Sequence, residues 1–447
     1  MHILPAARQG AAVSAQSTVA AGTVSRWLQA ETAGQPAWWR QIALRGTPVV
    51  EEHDRQRVRF TWLWRDPHGD ERRSPIRRVY LDINGVTDHH STEPSTLQRL
   101  AGTDIWHGSF LLPRDWRGSY SLIPVQDAQL PPLFSADRAQ CRQQQRAWWI
   151  SLFPLAIADP LNPYPAASTR IGQPLSLAQG PDAADQRAWL TAPPPLDPAH
   201  IHQFLWRSEA LGNQRRIWAY ASGEGAAAAE RPLVILLDGQ NWVDGQPLLP
   251  VLARETAAGR LPAACYLLVD VIDGQHRERE LPCNADFWLA LQAELLPLVR
   301  QRMAFSDSGA RTVVAGQSYG GLAAMYAGLH WPQRFGRVLS QSGSFWWPTV
   351  QYVTDFARRA EFDEGWLTQQ VRQGRVAAGT LTVFQEAGSR EEDIEFVNQQ
   401  MQQALKAAGH RVNYRVFSGG HDALCWRGGL LDGLHWLLSA MDDIHFD

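Results

Sequence analysis

Cysteine is scarce in this chain. Cys141, Cys265, Cys283 and Cys425 stand apart without any C-x-x-C spacing, which argues against a disulfide framework or a zinc site and fits a reducing compartment. No apolar run approaches the roughly 18 residues that a membrane span requires. The Ala/Ser-rich stretch 1–30 carries Arg8 and Arg26 but no continuous apolar segment, so neither a cleavable nor a twin-arginine export signal is read there. The histidines lack the H-E-x-x-H spacing of metal-dependent hydrolases. Charge is modest as well: charged residues make up 19% and the net charge is −3, so nucleic acid is not an expected partner. The expectation is a soluble, cytoplasmic protein with no cofactor, no bound metal of its own and no membrane partner.

What is present is a large apolar fraction, 45% of 447 residues, enough for two or three domains. Tryptophan is abundant, at 20 residues. Most are expected in the core because each indole hides a large area, and the remainder are available to line a groove for an aromatic ligand. Residues 1–50 show no assignable pattern. Residues 51–153 alternate as half-buried strands do, at Val58–Trp64, Arg78–Ile83, Trp106–Leu112 and Tyr120–Val125, with turn clusters at Asp66–Asp70 and Asn84-Gly85. That pattern predicts an all-β, immunoglobulin-like sandwich domain. Residues 154–204, with Asp159–Pro165 and Pro193–Pro195, read as a Pro-rich linker. Gly225–Ala229 reads as a loop tip.

From residue 205 to 447, apolar runs of strand length alternate with helical segments, as expected of a largely parallel sheet covered on both faces. Strands are predicted at Leu233–Leu237, Cys265–Val271, Thr312–Ala315, Val338–Gln341, Leu381–Phe384 and Val412–Phe417, and helices at Asp286–Gln301, Leu322–His330, Glu391–Ala408 and Gly429–Ser439. Between one such strand and helix lies Gly316-Gln317-Ser318-Tyr319-Gly320, a G-x-S-x-G nucleophile elbow in its strand–turn–helix setting. The domain is therefore read as an α/β hydrolase with Ser318 as nucleophile.

A serine hydroxyl needs a base to take its proton, and the base needs an orienting partner. Of His330, His410, His421, His435 and His445, only His421 follows a predicted strand on a Gly-rich loop, Gly419-Gly420-His421-Asp422, at the carboxyl end of the sheet. Glu391, beyond the strand ending near Phe384, is the first choice of acid; Glu386 and Asp393 are alternatives, Asp422 a weaker one, and a Ser–His dyad is also open. The oxyanion donors are expected from the backbone N–H of Tyr319 and, from the loop after Leu237, that of Gln240.

Several strings resemble the enterochelin (enterobactin) esterase family: Ala315–Leu322, Tyr326–Pro332, Val338–Ser344, His276–Trp288 and Gly419–Gly429, with Phe60–Pro67 and Trp106–Phe110 similar to the domain that precedes the hydrolase in cytoplasmic members. The resemblance implies a serine esterase that hydrolyses the tri-serine lactone of a ferric catecholate siderophore. It further implies that Arg277 contacts the anionic catecholates, a task suited to guanidinium, which pairs with anions and stacks on rings. The alternative for Arg277 is a surface ion pair with Glu280. Trp242, Trp346 and Trp347 are candidate ring contacts.

Two competing functions remain open in the sequence. One is a feruloyl or other aryl-carbohydrate esterase, for which secretion is expected. The other is a non-catalytic siderophore-binding protein, which an intact Ser318 and His421 disfavour.

Overall fold

The computed structural model describes residues 25–168, 172–191, 196, 200–223, 230–349 and 364–439. The readings made above for residues 1–24, Pro193–Pro195, Gly225–Ala229 and His445 lie outside them. The chain forms two compact units, one of residues 25–112 and 121–163 and the other of residues 113–120 and 164–439 among those described.

The first unit is built on antiparallel strands β1 (Val49–Glu52), β2 (Arg57–Arg65), β3 (Arg78–Ile83), β4 (Thr96–Arg99), β5 (Ile105–Pro113) and β6 (Arg117–Val125), hydrogen-bonded in the order β1-β2-β5-β4-β3-β6. The strands β2 and β3 were legible, although both are buried more continuously than the half-buried alternation expected, Phe60 to Trp64 in β2 and Val79 to Leu81 in β3; two helices were not legible. One, Pro36–Arg45, lies in the stretch left without assignment; Pro36 opens it, where its missing N–H costs nothing, and it buries Trp38, Trp39 and Ile42 with Leu63 and Ile105. The other, Arg138–Ser151, lies within the stretch read as all-β. Its Asp137 cap accepts from the N–H groups of Ala139 and Gln140, and it lays Trp148 and Trp149 edge-on against Tyr80. Its Gln- and Arg-rich sequence supplies too few apolar positions to announce a helical face.

In the second unit, Arg117–Tyr120 pair antiparallel with β8 (Pro174–Gln179), which also pairs with β7 (Ala167–Ser168). Both strands, and a short helix at Arg187–Leu190, lie in the stretch read as a linker, where the prolines had obscured them. The main sheet contains β9 (Ile201–Ser208), β10 (Asn213–Ala221), β11 (Leu233–Leu236), β12 (Cys265–Val269), β13 (Thr312–Gln317), β14 (Arg337–Gln341), β15 (Thr382–Gly388) and β16 (Arg411–Phe417), in the order β16-β15-β14-β13-β11-β12-β10-β9. From β12 to β16 all pairings are parallel; β9 and β10 form an antiparallel edge that the sequence reading did not include.

Strands β11, β12, β13 and β14 are buried along their whole length, as the apolar runs of β11 and β12 require of a sheet covered on both faces. One face packs on helices Ala285–Ala290 and Tyr319–His330, with Trp288, Phe287, Leu322 and Met325 fully buried; the other packs on Leu248–Ala257 and Ala423–Ser439. The helix Tyr319–His330 is apolar on nearly every side, which suits an element sunk between sheet and neighbours. Because the parallel strands share one direction, the loops after β11, β13, β14, β15 and β16 open at one edge of the sheet.

Candidate active site

Ser318 sits between β13 and the helix Tyr319–His330 with φ 59° and ψ −121°, a left-handed conformation that a non-glycine residue holds only when its surroundings impose it. The turn can be this sharp because its neighbours are small: a Cβ on Gly316 would lie 2.3 Å from the Gly320 carbonyl group. The Ser318 N–H donates to the Gln341 carbonyl (3.0 Å), its carbonyl accepts from Ser344 N–H (3.1 Å), and its Oγ is 3.2 Å from Ser344 Oγ. Tyr319, as the first residue of the helix, has an N–H with no partner carbonyl in its own helix, the arrangement expected of an anion-directed donor.

His421 lies on the loop between β16 and the helix Ala423–Ser439, with 40% of its side chain exposed. Its Nδ1 is hydrogen-bonded to Glu391 Oε1, and the Glu391 side chain is only 2% exposed. The second carboxylate oxygen accepts from Gly388 N–H and from Ser342 Oγ, both at 2.6 Å. Two backbone bonds bring the Glu391 and His421 loops together: Ser389 N–H to the Phe417 carbonyl and Arg390 N–H to the Gly419 carbonyl, each 2.9 Å. These continue the β15–β16 ladder beyond the strands, so parallel pairing itself carries Glu391 to the imidazole.

The other carboxylates have different tasks. Glu386 is buried, which pushes its carboxyl upward, while Arg415 (2.7 Å) and Gln341 (2.6 Å) oppose that shift. Asp422 is likewise raised by burial and accepts from the N–H groups of Ser119 and Leu424, a cap on the last helix. Burial also raises Asp393, as does its proximity to Glu391. Of the other histidine candidates, three lie among the described residues and are bonded elsewhere: His330 with the Tyr326 carbonyl, His410 with Leu381 N–H and His435 with the Arg260 carbonyl.

Ser318 and His421 open onto one cavity of about 150 Å³, whose wall also includes Asp238, Asn241, Trp242, Arg277 and Trp426. Arg277 is held by two parallel bonds to Asp238 (2.7 and 2.8 Å) and one to the Gln317 carbonyl (3.2 Å), and its guanidinium lies 5.6 Å from the Tyr319 ring centre. Its partner is therefore not Glu280, which is buried against Arg215 at 2.6 Å. Asp238 follows β11 with φ 55°, a second non-glycine residue in the left-handed region at this edge.

Three expected residues are not on the cavity wall. The Gln240 side chain accepts from Val271 N–H (3.3 Å) and is not on the cavity wall, where its loop contributes Asp238, Asn241 and Trp242. Trp346 is buried against the Tyr319 ring at 5.7 Å and Trp347 meets Trp366 edge-on at 6.0 Å, so neither ring lines the cavity. Trp426 and Asp238 were missed. The signal for Trp426 was its position one helical turn after Asp422; that for Asp238 was its place directly after the first parallel strand.

Beneath these loops runs a row of side chains in register across four strands. Trp242 Nε1–H donates to Gln317 (3.1 Å), Gln317 to Gln341 (2.8 Å) and Gln341 to Glu386 (2.6 Å), while Arg415 closes the row on the other Glu386 oxygen. Gly429 gives it room, since a Cβ there would come within 2.0 Å of Glu386 Oε1.

Residues 59–189 match the family described as enterochelin esterase, N-terminal, and residues 208–437 match that described as putative esterase. The chain is 59% identical to the iron(III) enterobactin esterase of Dickeya dadantii over 426 residues, covering 94% of this chain and 97% of the relative. Among solved structures, it is similar to the ferric enterobactin esterase of Salmonella typhimurium, with a TM-score of 0.81, 46% identity and coverage of 91% and 99%. The enterobactin esterase of Shigella flexneri, crystallised in the presence of enterobactin, superposes with a TM-score of 0.76 at 44% identity, covering 92% of this chain and 99% of that one.

Proposed function

Because this chain belongs to the iron(III) enterobactin esterase family, we propose that it hydrolyses the tri-serine lactone esters of ferric enterobactin to dihydroxybenzoyl-serine units, releasing iron from hexadentate chelation. The observation that carries this reading is the strained Ser318 sharing a cavity with a His421 whose Nδ1 is held by buried Glu391.

In this reading Ser318 Oγ attacks a lactone carbonyl while His421, through Nε2, takes its proton. Glu391 fixes the tautomer in which Nδ1 carries a proton, and stabilises the imidazolium that forms. Tyr319 N–H and a donor from the loop of Asp238, Gln240 and Asn241 receive the oxyanion. His421 then protonates the serine hydroxyl that leaves, and a water activated by the same imidazole releases the acyl group from Ser318. Iron takes no catalytic part; it belongs to the substrate.

The parallel sheet order and the elbow at the end of β13 support an α/β-hydrolase domain, read over 205–447, and the antiparallel strands of 51–153 support an immunoglobulin-like N-terminal domain, while 164–191 of the stretch read as a linker fall in the second unit. A cytoplasmic location rests on the family resemblance and on four cysteines that are all free. Among the described residues no helix is long and apolar enough to cross a membrane.

The direct test is to incubate the protein with ferric and iron-free enterobactin and follow the products by mass spectrometry. Linear and monomeric dihydroxybenzoyl-serine are expected; an intact trilactone beside a cleaved simple aryl ester would leave the hydrolase chemistry and remove the siderophore assignment.

Arg277 adds a test of recognition. Asp238 neutralises much of its charge, so its contribution to a trianionic ferric tris-catecholate is a directed N–H and a flat face more than a long-range field. Arg277→Ala is expected to raise KM for the ferric substrate about ten-fold while changing KM for a neutral aryl ester little. Equal losses on both substrates would mean that Arg277 acts only by satisfying Asp238.

A further inference from the structure

Trp426 belongs at once to the cavity wall and to the support of the acid. Its Nε1–H donates to Ser342 Oγ at 2.8 Å, and Ser342 Oγ meets Glu391 Oε2 at 2.6 Å. An indole N–H can only donate, so Ser342 must accept from it and turn its own proton toward the carboxylate. With Gly388 N–H on the same oxygen and His421 on the other, a rotation of the Glu391 carboxyl group would break several bonds together. The ring of Trp426 also meets the imidazole of His421 edge-on, with centres 4.7 Å apart and planes at 84°.

Ser342 is completely buried and holds φ 48°, a conformation that favours glycine. Its N–H donates to the Glu386 carbonyl at 2.7 Å, which fixes the backbone without need of a side chain. A hydroxyl-bearing residue at a position whose backbone suits glycine points to a use for the hydroxyl.

We propose that Trp426 and Ser342 are positioning residues of the esterase reaction: the chain Trp426 Nε1–H, Ser342 Oγ–H, Glu391 carboxylate holds the imidazole of His421 toward Ser318 and ties that orientation to the residue that substrate touches. The proposal rests on the Ser318–His421–Glu391 reading. The bland alternative is that a buried indole has merely found an acceptor. The two differ in what the loss of either bond does to turnover.

Trp426→Phe removes the N–H and keeps a ring. Ser342→Gly removes the hydroxyl and suits the backbone. With a neutral aryl ester, each is expected to lower kcat about ten-fold, the scale of one hydrogen bond to a charged group, while KM stays within about two-fold. Because both act through one chain, the double variant is expected to fall no further than about the worse single one. The downfield imidazole Nδ1 proton resonance, expected in the wild type, should weaken in all three. Fold-changes that multiply, an unchanged kcat, or a loss confined to KM would each overturn the proposal, and Trp426→Phe alone decides it if Ser342→Gly does not fold. Labelling by an aryl phosphonate separates the layers. No adduct on Ser318 of the wild type would sink the parent reading, whereas labelling of Trp426→Phe at the wild-type rate would sink only this inference.

Discussion

Ser318→Ala is expected to lower turnover of ferric enterobactin by about four to six orders of magnitude while leaving its binding nearly intact. In the proposed mechanism the hydroxyl is the group that forms the acyl bond, so its loss would remove the covalent route outright. What remains is the small catalysis that oxyanion donors and a bound water provide. Binding should survive because Arg277, Trp242 and Trp426 line the cavity independently of the Ser318 Oγ. The measurement is single-turnover product formation beside quenching of tryptophan fluorescence by the ferric ligand. Wild-type hydrolysis by this variant would remove Ser318 from the mechanism; loss of binding together with turnover would mean that the elbow had collapsed. The strained φ of Ser318 makes the second outcome worth excluding by thermal unfolding, although Ala replaces Ser here without adding volume near Gly316 or Gly320.

Glu391→Gln is expected to cost about three to four orders of magnitude in kcat with KM little changed. An amide in this position keeps the volume but presents either its NH2 or its oxygen to His421. If Ser342 Oγ and Gly388 N–H, both donors to the present Oε2, keep the amide oxygen, the NH2 faces Nδ1 and the imidazole is driven into the wrong tautomer. The variant therefore tests tautomer control as well as charge. Comparison with Asp393→Asn, expected to be near wild type, separates the two carboxylates beside the base. A kcat for Glu391→Gln within ten-fold of wild type would favour a Ser–His dyad.

The placement of the candidate site was more legible in this sequence than the architecture. The elbow was readable because its constraints are local: glycines at fixed offsets, a strand before and a helix after. His421 was readable because it is placed by one strand end. Glu391 is different, since its role depends on β15 running on to Gly388 and on the β15–β16 ladder continuing through Ser389 and Arg390, a pairing no local pattern encodes. For the same reason Glu386 could not be told from Glu391 until its bonds to Arg415 and Gln341 were visible. The helices Pro36–Arg45 and Arg138–Ser151 were hidden because adjacent tryptophans, not a sustained apolar stripe, carry their burial. Strands β9 and β10 escaped notice because polar and charged residues interrupt them, Gln203 and Arg207 in β9 and Gln214, Arg215 and Arg216 in β10, unlike the apolar runs of β11 and β12.

The row from Trp242 to Arg415 has a sense of direction. Each glutamine in it can in isolation present either end of its amide, but an indole can only give a proton and a carboxylate paired with arginine can only receive one. Both amides are therefore oriented by the ends of the row, and each bond exists only while Gln317, Gln341, Glu386 and Arg415 stand opposite one another on adjacent strands. A slip of one residue in any of these pairings would turn a polar side chain to the opposite face of the sheet and strand its neighbours. The row thus works as an alignment check on the four strands that deliver Ser318, Ser342, Glu391 and His421, so that a chain assembled out of step pays at once in buried, unanswered polar groups.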